Sequence, residues 1–177
     1  GESALISNTT ASNNTAVGYQ SLYANTTGAG STAVGKNALA TTTTADNNTA
    51  VGFQALNANT SGTRNSAVGK DALKAATTGS YNVAMGTFAA DALTTGASNT
   101  AIGDASLSTL TTGDDNVAVG QGALFACNGS NNTAVGSDAL IASTSADHNT
   151  AVGYRALTAN TTGTANAALG AFAADAI

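Results

Sequence analysis

The sequence predicts an all-β fold, a parallel β-roll or repeat solenoid of about ten 17-residue coils, and three observations carry that prediction. The string Asn14-Thr15-Ala16-Val17-Gly18-Tyr19-Gln20-Ser21-Leu22 recurs in recognisable form from one end of the chain to the other. Its glycine falls at Gly18, Gly35, Gly52, Gly69, Gly86, Gly103, Gly120, Gly136, Gly153 and Gly170, a step of 17 residues broken once by a step of 16. A fixed period of this length marks stacked repeats, each too thin to bury a core alone. The composition agrees, since the 42% of hydrophobic residues are mostly alanine, aromatics are 5%, and charged residues are 8% where soluble domains carry roughly 25%. Such a chain must bury thin repeated layers.

Taking the Asn of each copy as position one, coils begin near residues 14, 31, 48, 65, 82, 99, 116, 132, 149 and 166, and residues 1–177 form one repeat array. Position three is Ala in every coil, and position four is Val, Met, Ile or Leu. Neighbours on a strand point to opposite faces, so a strand that is apolar at both positions is expected to be buried on both. A single-chain solenoid buries only its inner face, and the second face implies other chains. The same pairing returns at positions eight and nine, as in Ala38-Leu39 and Ala72-Leu73, unless a bend after the glycine breaks the alternation.

The position-five glycine is expected to make a corner between two short strands, through positive φ or the close approach of another backbone. The Thr-Thr-Gly group, seen at Thr26-Thr27-Gly28 and Thr94-Thr95-Gly96, marks the outer loop, because the 16-residue step loses its residue there, around Asn128-Gly129-Ser130. Position one is Asn in every coil but that of Ser31, and stacked side-chain amides are expected to form a ladder that fixes register. Positions six, seven and ten vary and read as outward-facing. At position six Tyr19, Lys36, Phe53 and Lys70 alternate aromatic and cationic, a pattern suited to cation–π contacts between coils. The coils at Asn82 and Asn166 lack Leu at position nine and place Leu93 and Ile177 at position twelve, which we read as a repacking with a helical turn. Cys127 shares that position and reads as a small buried hydrophobe.

Function classes fall away in turn. Five basic residues and a net charge of −5 remove the footprint of a nucleic-acid binder. No apolar run reaches membrane-spanning length, so no membrane insertion is expected. One Cys127, one His148 and scattered acids give no catalytic constellation, no metal-ligand spacing and no cofactor motif, and we expect no enzyme. Asp114-Asp115-Asn116 reads as a solvated loop, and His148 as an exposed one. Tyr19, Phe53 and Tyr154, with Tyr23, Tyr81 and Phe125, are candidate surface contacts able to stack on sugars or to cover neighbouring coils. The chain opens at Gly1-Glu2-Ser3-Ala4-Leu5, the second half of a repeat, and stops inside another, so a longer array is expected.

The string from Asn14 to Gly28, echoed at 48–62 and 149–163, resembles the Asn-Thr-Ala-Val-Gly-Tyr-x-Ala-Leu repeats of bacteriophage tail fibres. It is similar in character to the head repeats of trimeric autotransporter adhesins, although its period is longer and it places Ala before Val. The resemblance implies an intertwined homotrimeric fibre, part of a virion, that positions binding to a glycan or protein receptor on a bacterial surface. A bacterial trimeric adhesin head is the near alternative. A monomeric ice-binding solenoid is suggested by the threonine column at Thr26, Thr43, Thr60 and Thr77, but there the paired threonines are adjacent and would face opposite ways.

Overall fold

The computed structural model describes residues 1–175. It is a parallel β-solenoid with one three-residue strand per coil: β1 (Thr15–Val17), β2 (Thr32–Val34), β3 (Thr49–Val51), β4 (Ser66–Val68), β5 (Val83–Met85), β6 (Thr100–Ile102), β7 (Val117–Val119), β8 (Thr133–Val135), β9 (Thr150–Val152) and β10 (Ala167–Leu169). The strands make one parallel sheet in sequence order, in strict register, so that Ala16 lies beside Ala33 and Val17 beside Val34. Register also holds across the short step, where Ala118 lies beside Ala134. Among the described residues there is no helix.

β-branched Thr and Val favour the extended segment, and the glycine ends it. At position five φ lies at +139° for Gly52, and a Cβ there would meet the Gly69 carbonyl oxygen at 2.3 Å. Both reasons anticipated for the glycine therefore hold, a positive φ and a backbone stacked directly above.

The expected second strand is absent. In its place most coils turn twice on i→i+3 hydrogen bonds, as from Ser21 N–H to Gly18 O and from Asn25 N–H to Leu22 O. Positions seven and nine are left-handed, with φ of 53° at Gln20 and 48° at Leu22. This region is uncommon for bulky side chains, yet ladder bonds pin it: Asn37 N–H donates to Tyr19 O on the coil before, and Leu39 N–H to Ala55 O on the coil after. Because the chain is not extended here, neighbours do not alternate, and both Ala38 and Leu39 are buried. Position seven, expected to face outward, is largely half-buried, and Asp71 is 4% exposed.

The interior is thin. Ala of position three, the residues of positions eight and nine, and position twelve fill it from coil to coil. Where position nine is small, position twelve is large: Ala90 and Leu93 in one coil replace Leu73 and Ala76 in the coil before, all four buried. The expected helical turn at this coil does not form, since Phe88 and Ala90 keep the left-handed values of the other turns, φ 55° and 48°. The leucine has moved and the backbone has not. The matching residue of the last coil, Ile177, lies outside the described residues.

Register is held by position one. Each side-chain oxygen accepts the backbone N–H of its counterpart one coil on, as from Asn116 to Asn99 (3.0 Å), while each Nδ2 donates to the carbonyl of position fifteen, as from Asn99 to Gly113 (2.9 Å). Amide-to-amide contacts follow at 3.1–3.3 Å in the later coils. The hydroxyl of Ser31 replaces the missing amide and accepts the Asn48 N–H at 3.1 Å. At the shortened loop, the Asn128 side chain supplies the lost acceptor, taking both the N–H and the hydroxyl of Thr111 at 3.0 Å.

Candidate interaction surface

Period-two geometry places position three inward and positions two and four together on the outer face of the sheet. The inner half of the expected two-sided burial is met within one chain, with Ala33, Ala50 and Ala67 fully buried. The outer half is open: Val51 is 36%, Val68 37%, Met85 47% and Ile102 38% exposed. Beside this apolar column runs position two, mostly Thr, and neither column holds a charged residue in any coil. The face is continuous because all ten strands pair in sequence order and in register. At about 4.8 Å per strand and 3.3 Å per residue it measures roughly 50 Å by 10 Å. Sequence reasoning identified position four and missed position two, although the same alternation places both.

The turn side carries the variable residues. Tyr19, Phe53 and Tyr154 at position six are all exposed, as are Tyr23 and Phe125 at position ten and Tyr81 in the outer loop. Phe88, at position seven, is exposed as well. Lys36 Nζ lies 5.7 Å from the Tyr19 ring centre, and Lys70 Nζ lies 5.0 Å from Phe88, which takes the place expected for Phe53. Arg64 stacks on Tyr81 at 5.3 Å, and Tyr154 meets Phe172 edge-on at 5.2 Å. Cation–π contacts at exposed sites contribute about 0.5–1 kcal/mol each. Lys70 and Lys74 share the buried Asp71, at 3.9 and 3.5 Å.

The remaining chemistry-bearing side chains are dispersed. Asp114 accepts the Ala97 N–H at 2.7 Å, as Asp46 does for Ala29 and Asp147 for Ser130, so these carboxylates staple one loop to the next. Asp115 and His148 are exposed loop residues with left-handed backbones. Cys127 is fully buried, and burial pushes its thiol above the ordinary range. No group of three His, Cys, Asp or Glu side chains suited to a metal ion occurs among the described residues. None of their helices is long and apolar enough to cross a membrane.

No protein-family model, curated protein or solved structure matches this chain.

Proposed function

We propose that the chain is a shaft segment of a homotrimeric adhesive fibre, of the kind borne on bacteriophage tails, in which three copies turn their Thr-Ala-Val faces toward a common axis. The observation that carries this reading is the outward column of position four, apolar in all ten coils and open to water in a single chain. The face covers roughly 500 Å², about half of it the apolar column of position four. Burying apolar surface stabilises by about 25 cal/mol per Å², so association removes the one large unfavourable surface of the coil. With three chains parallel and in register, each coil meets its own copy, and Met85 or Ile102 meets a side chain of the same length. The number three and the virion setting come from the tail-fibre resemblance; a bacterial trimeric adhesin shares the same assembly. The role is mechanical: to hold a glycan- or protein-binding tip at a distance from the particle, with no catalysis, cofactor, nucleic acid or membrane insertion.

Light scattering after size-exclusion chromatography tests it. A mass of three chains, with melting that rises with protein concentration, is expected. The pair Val51→Asp and Val68→Asp should release folded single chains, because these side chains are solvated in the monomer. A wild-type mass of 17.0 kDa overturns the trimer.

One observation favours a second reading. In five of the ten strands Thr and Val stand two residues apart on one uncharged face, the arrangement that the Thr26 column lacks, since the Thr26 hydroxyl donates to the Thr43 carbonyl. A regular rank of hydroxyl and methyl groups suits ordered water, as in an ice-binding solenoid. A monomer showing thermal hysteresis supports this reading, and a trimer, whose face is covered, removes it.

A further inference from the structure

We propose that the column of Tyr19, Lys36, Phe53 and Lys70, with Phe88 of the adjoining column beside its end, is a binding track for a linear acidic polysaccharide lying along the fibre axis. The inference rests on the adhesive reading above and names the chemistry of the partner. Ladder bonds from the backbone N–H of Asn37, Gln54, Asp71 and Phe88 to the carbonyls of Tyr19, Lys36, Phe53 and Lys70 on the coil before, each 2.9–3.0 Å, keep position six in register over four successive coils and bring Phe88, at position seven of the fifth, beside Lys70. Tyr19 and Phe53 therefore stand two coils apart in one column, on the order of 10 Å, about the advance of two sugar units in an extended chain, and Phe88 follows two coils further on from the adjoining position. All three are exposed, at 43%, 41% and 38%.

Inter-coil packing accounts for two of them, since Lys36 covers Tyr19 and Lys70 covers Phe88. It does not account for Phe53, which among the described residues has neither a cation nor another ring against it. A pyranose presents an apolar C–H face that an open aromatic ring can cover, and each lysine stands half a repeat away, where a carboxylate on the alternate sugar would fall. Charge is segregated along the chain in the matching sense. Residues 31–81 hold four of the five basic residues against two acids, whereas 82–148 hold six acids and no Lys or Arg. A sparsely charged polyanion suits the first region. Nucleic acid, with a charge on every unit, meets too few cations and a net charge of −5.

Affinity electrophoresis of the whole chain in gels containing hyaluronate, whose carboxylate falls on alternate sugars, tests the track, with dextran and oligothymidylate as comparison matrices. Retardation by hyaluronate alone, weakening as salt rises, is expected. Phe53→Ala, and separately Lys36→Gln with Lys70→Gln, should each weaken it at least tenfold, while Ser137→Ala at the same column position changes nothing. The fold should survive these changes, because position six already accepts Thr87, Asp104 and Ala171. No retardation, retardation that Phe53→Ala leaves intact, or equal retardation by dextran or oligothymidylate overturns the track. Light scattering on the same samples separates the two readings. A binding monomer keeps the track and removes the fibre, and a trimer that does not bind keeps the fibre and removes the track.

Discussion

The two sides of each coil obey different rules. From position one to position five, the strand side repeats almost without change, because each group there contacts its own counterpart one coil away: amide oxygen on backbone N–H, alanine beside alanine, glycine under carbonyl. The turn side varies freely in both charge and size, because its side chains either leave the stack or share one interior volume between positions nine and twelve. Uniformity therefore follows contact with a copy, and tolerance follows contact with water or with a neighbour able to compensate.

The sharpest way to test this contrast uses two glycines two residues apart. Gly120 ends a strand with φ at +131°, and a Cβ there would meet the Gly136 backbone at 2.6 Å. Gly122 sits in the turn with φ at +64°, and its Cβ would meet no backbone, only the tip of the Asp138 side chain at 2.7 Å and, at ordinary contact distance, Ile141 Cδ1 at 3.7 Å. Asn and Asp already occupy that turn position at Asn37 and Asp71, and both tolerate left-handed backbone. Gly120→Asn should cost more than about 4 kcal/mol, the range reserved for core disruption, and Gly122→Asn less than about 1 kcal/mol. Denaturant melts measure both, and similar costs at the two sites would erase the distinction.

Next in size is the amide ladder. Asn99→Ala strands two buried backbone groups, the Asn116 N–H and the Gly113 carbonyl. At about 1–3 kcal/mol for each orphaned group, the loss should be about 2–6 kcal/mol, with faster amide exchange at Asn116. Thr112→Ala, in the exposed loop of the same coil, should change stability by less than about 0.5 kcal/mol.

The turn side supplies a compensation test. Leu73→Ala empties a fully buried site and should cost about 2–5 kcal/mol. Combining it with Ala76→Leu rebuilds the Ala90 and Leu93 arrangement of the next coil and should recover more than half of that loss. A double variant no better than the single one would show that the two interiors are not interchangeable.

These contrasts also mark what was legible in the sequence. The solenoid, its period, the loop that absorbs a deletion, the corner glycine and the register-setting Asn were all readable, because a residue stacked on its own copy must be the same residue in each coil. The left-handed leucines were not. No local preference places Leu22 at φ 48°; hydrogen bonds to the coils on either side impose it, and the interior is filled from that geometry. The helical turn expected at Phe88 failed for the same reason, since the ladder fixes the backbone and leaves only side-chain volume to vary. The open face was half legible. Position four drew attention by being apolar, and position two escaped it by being threonine, although one alternation rule places both.

The smallest effect concerns Cys127, which sits on the turn side yet is fully buried. Loss of hydration raises its pKa, a shift only partly offset by contacts with Gly129, Ser143 and Asn132. The folded state therefore resists forming the thiolate, while the unfolded chain ionises near the ordinary value of about 8.5. The sign follows from proton counts. Below the unfolded pKa both states hold the proton and stability is unaffected. Above it the unfolded chain holds fewer protons, so stability falls with rising pH, by at most about 1.4 kcal/mol per unit, until the folded thiol also ionises. Cys127→Ser removes this dependence at a position where the next coil already carries Ser143. Melts from pH 7 to 10 should show the wild-type chain losing stability relative to the serine variant, with thiol labelling slow until the coil opens. Parallel pH profiles for the two chains would mean that water reaches this part of the interior, and that the turn side is looser than its buried leucines indicate.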